Sequence, residues 1–261
     1  MSLQLNSTRN IFIHDFDGVH YLYDDIPQIY EAFKVCARNA ALEILKNEGG
    51  VKERADVDCA VYNSYAEFGT ATYAILKLAE KENLDRALLS TYNRLRHKKM
   101  LDWIEKEHSY IMKPCEETTQ CFQKLQQLGV SHGLLTAGDY KEWAEPFLEK
   151  KDTLKYFEQT CRLDFVEVGY YSKTKNSIPM KVALEKLKAK PEQVVFIEDS
   201  LKNFKPVKEN YPEILTVLVS NEEDLLGHDD VDMQFSDLKT FLQFASEILS
   251  SYQCQHALTH N

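Results

Sequence analysis

Two carboxylates separated by one residue, Asp15 and Asp17, stand at the end of the short apolar run Asn10 to Asp15 and are followed at once by Gly18. The run is rich in β-branched and aromatic residues and stops at acid and glycine, the pattern of a buried strand ending in a turn. Gly18 permits the turn, which directs both carboxylates into one cleft. One carboxylate placed so is a nucleophile toward phosphorus. The other can give a proton to a leaving oxygen and later take one from water. Two anions repel the phosphate they would act on, so the pair needs a cation. Magnesium fits, being a hard ion that takes a few carboxylates together with water and substrate oxygens.

Two later segments supply what this chemistry lacks. The run 131–136 reads as a strand ending in Thr136-Ala137-Gly138-Asp139, and 194–197 as a strand ending in Glu198-Asp199-Ser200. The Thr136 hydroxyl and the Ala137 amide suit the non-bridging oxygens of a phosphate. Glu198 and Asp199 suit the remaining metal positions. A lysine ahead of the helix expected near Met180 would neutralise charge developing in the transition state. Open sheets bind ligands at the carboxyl ends of their strands, and three strand ends here carry reactive or polar groups.

The elements that must position these residues alternate. After Pro114 the pattern predicts a helix at 116–129, the strand 131–136, a helix at 141–151, an extended segment at 162–168, a helix at 180–189, strands at 194–197 and 214–219, and a helix at 237–249. Strands alternating with helices predict an α/β fold, a three-layer Rossmann-like core with a mainly parallel sheet covered on both faces. Between the first strand and Pro114 the texture is helical. Ile29, Phe33, Cys36, Ala40 and Ile44 recur at three- and four-residue spacing up to Gly49-Gly50, a second helix is expected at 58–82, and a third from about Leu84.

These motifs, in this order, resemble the haloacid dehalogenase-like (HAD) superfamily over essentially the whole chain. Asp15-Phe16-Asp17-Gly18-Val19 is similar to its first motif, Leu134-Leu135-Thr136-Ala137-Gly138 to its second, and Val194-Val195-Phe196-Ile197-Glu198-Asp199-Ser200 to its fourth. The resemblance implies Asp15 as nucleophile, Asp17 as general acid/base and Thr136 on the phosphate. It implies Mg2+ held by Asp15, by the backbone carbonyl of Asp17 and by Asp199 with Glu198 beside it, and Asn203 as an orienting polar residue. The third motif usually shows Lys-Pro about 25 residues before the metal-binding acid. Counting back from Asp199 reaches Thr174, between Lys173 and Lys175; Lys175 is preferred, and the usual proline is absent. The helical insert stands where the family carries its cap, giving a core of 1–20 and 113–261 and an α-helical cap of 21–112. Tyr65-Ala66-Glu67-Phe68-Gly69 and Phe196 to Asn203 further resemble the pyrimidine 5′-nucleotidase branch, which implies a nucleoside monophosphate substrate.

The implied activity is magnesium-dependent hydrolysis of a small phosphorylated metabolite through an aspartyl-phosphate. Phosphotransfer to a sugar, as in related mutases, would use the same site. A non-catalytic phosphate-binding protein on this scaffold would be expected to lack some of these acids, and Asp17 argues against dehalogenation. The formal charge of −10 disfavours nucleic acid or an anionic membrane as partner. No apolar run approaches bilayer length, and six cysteines without a CxxC pair read as reduced thiols of a cytoplasmic protein. No pattern specifies an oligomeric state. The basic run Arg94-Leu95-Arg96-His97-Lys98-Lys99 reads as a solvated helix face, Tyr62, Tyr65, Phe68 and Tyr73 as core of the insert, Tyr21 and Tyr23 as hinge packing, and His14 as a hydrogen-bonded core histidine. Glu222, Glu223 and Asp224 read as a solvated loop.

Overall fold

A computed structural model describes residues 4–47, 52–221 and 228–259, the last seven of these by backbone alone. Six strands form one sheet: β1 (Ile11–His14), β2 (Ser131–Leu135), β3 (Phe157–Leu163), β4 (Val194–Glu198), β5 (Leu215–Val219) and β6 (Met233–Phe235). Every pairing is parallel and the order is β3-β2-β1-β4-β5-β6. The chain therefore winds outward in both directions from β1, and the crevice at its carboxyl end lies where the winding reverses.

Period-two alternation sorts the strand side chains into two cores. Phe12, Val195, Ile197 and Val217 join one buried cluster with Phe122 and Leu125 of α5 (Glu116–Gln127), Phe147 and Leu148 of α6 (Glu145–Lys150) and Phe241 and Leu242 of α9 (Leu238–Thr259). Ile13, Val194, Phe196 and Leu218 join another with Met180 and Ala183 of α7 (Ile178–Leu187) and Phe204 of α8 (Leu201–Asn210). Burial on both faces is why β1, β4 and β5 read as near-continuous apolar runs. The result is the expected three-layer α/β core.

The insert contributes α1 (Ile29–Asn47), α2 (Arg54–Phe68), α3 (Ala74–Leu78) and α4 (Arg86–Glu107), a helical cap. Ala37, Ala41, Ile44, Val57, Val61, Leu89 and Tyr92 form its own core. Ile29 and Ala32 of α1 and Met100 and Ile104 of α4 belong instead to the large cluster beneath the sheet, so apolar packing runs on from cap to core.

Three expectations are corrected. The helix expected at 58–82 is broken: α2 ends where Gly69 takes φ 69°, and a short turn at Ala71–Tyr73 precedes α3. The extended segment expected at 162–168 is instead the end of β3, and the chain then turns, with Asp164 Oδ1 accepting the N–H groups of Val166 and Glu167. Helix α8 and strand β6 were not expected; Pro206 inside α8 and the brevity of β6 hide them. Gly49-Gly50 and Glu222, Glu223 and Asp224 lie outside the described residues.

Candidate active site

The ladder between β1 and β4 continues one residue beyond β1, where the Asp15 N–H donates to the Ile197 carbonyl at 2.8 Å. This carries the Asp15 side chain to the sheet's carboxyl edge. The chain then turns over Gly18 at φ 72°, and a Cβ there would fall inside the Asp199 carboxyl group. The glycine thus supplies both the left-handed backbone and the space that lets two strand-end acids approach.

Asp15, Glu198 and Asp199 each offer an oxygen, all within 4.8 Å of one another. Lys173 Nζ stands 2.7 Å from Asp15 Oδ1 and 2.9 Å from Glu198 Oε2 and also donates to the Leu135 carbonyl. Glu198 is fully buried, and its other oxygen accepts the N–H groups of Asp199 and Ser200, so it braces the loop as well as the lysine. Lysine 175 was the expected partner. The structure corrects this: its ammonium lies over the Phe68 ring, because the turn at 172–175 points alternate side chains apart.

Burial, reinforced by the charge of Glu198, raises the Asp15 pKa, with Lys173 opposing. Burial also raises Glu198 and Asp199. Against its own burial, the two carboxylates hold Lys173 firmly protonated. One ammonium among Asp15, Glu198 and the half-buried Asp199 leaves negative charge uncompensated once all three ionise. A hard divalent cation at Asp15 and Asp199 fits both the donor chemistry and this deficit.

Asp17 is held apart from that cluster. Its Oδ1 accepts from the Tyr21 hydroxyl at 2.5 Å and from Trp143 Nε1 at 2.7 Å. Trp143 sits in a wide π-helical turn, Tyr140–Ala144, capped by Asp139, and lies at 0% exposure. Burial and the charge of Asp15 raise the Asp17 pKa, while these two donors oppose the shift. Asp17 thus differs from Asp15 in its partners, two uncharged donors in place of an ammonium.

Thr136 follows β2 directly, its N–H donating to the Leu163 carbonyl and its hydroxyl oxygen accepting from the Gly138 N–H at 2.9 Å. That bond shapes the loop whose Ala137 and Gly138 face the cleft. Thr136 itself is buried behind them. Asn203 Oδ1 accepts from the Thr174 hydroxyl at 2.9 Å, and both residues line the cleft.

The cleft is a cavity of about 450 Å³ floored by the core acids and roofed by the cap. The cap rests on the core through the Tyr73 hydroxyl donating to the Tyr170 carbonyl and the Ser172 hydroxyl donating to the Phe68 carbonyl. Tyr62 and Tyr65, expected in the cap's core, line the cavity, as does Tyr23, whereas Phe68 and Tyr73 pack ring against ring with centroids 4.5 Å apart. The basic run is the larger correction: Arg96 and His97 are buried and face the cavity. Tyr21 and Trp143, which hold Asp17, carry no motif that would have singled them out. His14 is buried and bonded to His132, Nε2 to Nδ1 at 2.9 Å.

Among solved structures the chain is similar to a HAD hydrolase of family IA, variant 3, from Entamoeba histolytica HM-1:IMSS (13% identity, 92% of this chain and 99% of that one, TM-score 0.61). It is similar also to β-phosphoglucomutase from Clostridium difficile (13%, 94% and 99%, TM-score 0.58) and to a HAD phosphatase from Thermococcus onnurineus (14%, 90% and 97%, TM-score 0.53). At such identities these likenesses speak for the fold. No curated protein sequence matches the chain. No described helix is long and apolar enough to cross a membrane. A family sequence model matches residues 10–208, the span carrying every acid of the cleft and Lys173, and the chain belongs to the haloacid dehalogenase-like hydrolases.

Proposed function

We propose that the chain is a magnesium-dependent phosphomonoester hydrolase that works through an aspartyl-phosphate on Asp15. The observation that carries this reading is the separation of roles in one cleft. Asp15 lies against Lys173 and the Glu198-Asp199 pair, while Asp17 is held on its own by Tyr21 and Trp143.

An Asp15 carboxylate oxygen attacks phosphorus as the bond to the leaving oxygen breaks, and Asp17 gives that oxygen its proton. Asp17, now a carboxylate, takes a proton from water; the water oxygen attacks phosphorus and the bond to Asp15 breaks, releasing inorganic phosphate. Lys173 and the Ala137 amide offset the charge on the non-bridging oxygens. Mg2+, which Asp15, Asp199 and the Asp17 backbone would hold beside Glu198, would supply the remaining positive charge. The cap, taken as residues 21–112 on a core of 1–20 and 113–261, excludes bulk water and selects the leaving group.

The substrate class is a small phosphorylated metabolite. The rings of Tyr23, Tyr62 and Tyr65 support a planar leaving group such as a nucleoside, and the likeness to β-phosphoglucomutase makes a sugar phosphate the second candidate. Asp15→Asn is expected to abolish magnesium-dependent phosphate release from p-nitrophenyl phosphate; retained turnover would remove Asp15 as nucleophile. A panel of nucleoside monophosphates, sugar phosphates and phosphotyrosine, with product analysis, separates hydrolysis from transfer.

A further inference from the structure

The cap places one buried cation in the cavity with no described carboxylate in ion-pair contact, although its charge is felt at Asp17. Arg96 is 6% exposed. Its guanidinium donates to Asn93 Oδ1 from Nε and Nη2 at 3.2 and 3.0 Å, to the Thr70 and Thr72 hydroxyls from Nη2 at 3.1 and 3.2 Å, and to the Tyr65 hydroxyl from Nη1 at 3.3 Å. Every acceptor is uncharged. Among the described residues no carboxylate comes within ion-pair distance of it.

The other buried cations are treated differently. Lys173 has Asp15 and Glu198, Arg38 has Asp58, and Arg9 donates to main-chain carbonyls outside any described cavity. Lys34 and Lys202 also line the cleft but are exposed, so water compensates them. A desolvated guanidinium facing a cavity is stabilised most by an anion, and neutral hydroxyls orient its plane without cancelling its charge. Nη1 carries two N–H groups and has one long bond among the described residues, so the fork keeps an edge for a ligand.

We propose that Arg96 is a specificity-determining residue that receives a second anionic group, a carboxylate or a second phosphate, carried by the leaving half of the substrate. The proposal rests on the phosphomonoesterase reading. The transferred phosphoryl group already has Lys173, the Ala137 amide and the metal-binding acids beneath it. Arg96 comes from the cap wall, on α4, next to His97, whose Nδ1 lies 3.3 Å from the Asp139 nitrogen. That wall is the one a leaving group would face. This favours a leaving group with its own charge over a nucleoside, whose base is neutral.

Two matched pairs test it: glycerol 3-phosphate against 3-phosphoglycerate, and glucose 6-phosphate against glucose 1,6-bisphosphate, with uridine monophosphate alongside. The wild-type enzyme is expected to prefer the more anionic member of one pair, which also names the group as carboxylate or phosphate. Arg96→Gln is expected to cut that preference on the order of 30-fold or more, mainly through KM, and Arg96→Lys to restore part of it. A ratio of two substrates on one preparation is independent of the folded fraction, so a merely structural loss leaves it unchanged. No preference for an anionic member, a preference for uridine monophosphate over all four, or an equal loss on both members of the favoured pair would overturn the assignment. If the wild type turns over none of them, the hydrolase reading fails separately. Calorimetric affinities of the same pairs for Asp15→Asn protein, with and without Arg96→Gln, then decide the anion site on the same ratio.

Discussion

Lys173 and Asp15 form a buried ion pair, 2.7 Å from Nζ to Oδ1, at the point where the chain leaves β1. The lysine comes from the loop ahead of α7, so two segments distant in sequence meet at one charge. The pair is incomplete by itself, since Glu198 shares the same ammonium and Asp199 stands beside it.

Lys173→Met should therefore do two things. It removes a cation from the transferring phosphoryl group, for which a loss of about 100-fold or more in kcat is expected. It also leaves two buried carboxylates unpaired, lowering metal-free stability by about 3 kcal/mol. Lys175→Met should leave steady-state turnover near wild type, because its ammonium lies over Phe68. The opposite ranking of the two variants would return the role to Lys175.

Gly18→Ala tests the turn. The new methyl would occupy the position of the Asp199 carboxyl, and alanine tolerates φ 72° poorly. The backbone conformation alone costs about 1–2 kcal/mol, and displacing Asp199 should also weaken metal-dependent activity. Urea unfolding and a magnesium titration of phosphatase activity would read both effects. A variant with wild-type values in each would show that the loop relaxes without the glycine.

How legible the site was depends on how local each cause is. Asp15, Asp17, Glu198 and Asp199 follow apolar strands whose pattern is set by neighbours, so strand ends and acids could be read together. Lys173 and Lys175 are indistinguishable by residue type. The difference lies in the turn in which the Lys175 N–H donates to the Ser172 carbonyl, and the absent proline removed the usual marker. Arg96 sits in a run that looks solvated, and its burial comes from Thr70 and Thr72 on a separate turn. That turn exists because Gly69 ends α2, a break masked by the apolar spacing that continues from Tyr62 to Leu76. Strand β3 was misplaced for a similar reason: three exposed residues in succession, Glu158, Gln159 and Thr160, erase its alternation.

Metal removal should be pH-dependent in a definite direction. Asp15 is pushed up to about 8 and Glu198 to about 7, chiefly by burial. Acids raised in the folded state stabilise it fully below their unfolded values, and that contribution is lost as pH rises through the folded ones. The metal-free protein should thus lose stability from this cluster progressively between about pH 4 and 8. A divalent cation offsets the loss, and its binding displaces protons at the lower pH. The rise in Tm produced by Mg2+ should be larger at pH 8 than at pH 6 and should vanish with chelator. An equal rise at both pH values would place the cation elsewhere.

The histidines beneath the site give a signal of the opposite sign. His14, His20 and His132 are buried together, with ring centroids of His14 5.4 and 5.1 Å from the other two. Burial is the main cause that pushes His20 and His132 down to about 3 and His14 well below its usual range. An unfolded chain protonates histidine near pH 6.5, so stability held above that value drains away as pH falls toward the folded values, by about 1.4 kcal/mol per pH unit for each ring. The raised carboxylates oppose this over the same range, so the total slope is not diagnostic. The difference between wild type and His20→Phe is. Phenylalanine can keep the ring contacts with Phe16 and Phe157 and cannot take the proton. Urea unfolding from pH 7 to 4.5 should show the variant's stability falling less steeply by about one proton's worth. Identical slopes would mean that His20 takes its proton in the folded state, and the buried cluster would then be open to water on the timescale of the measurement.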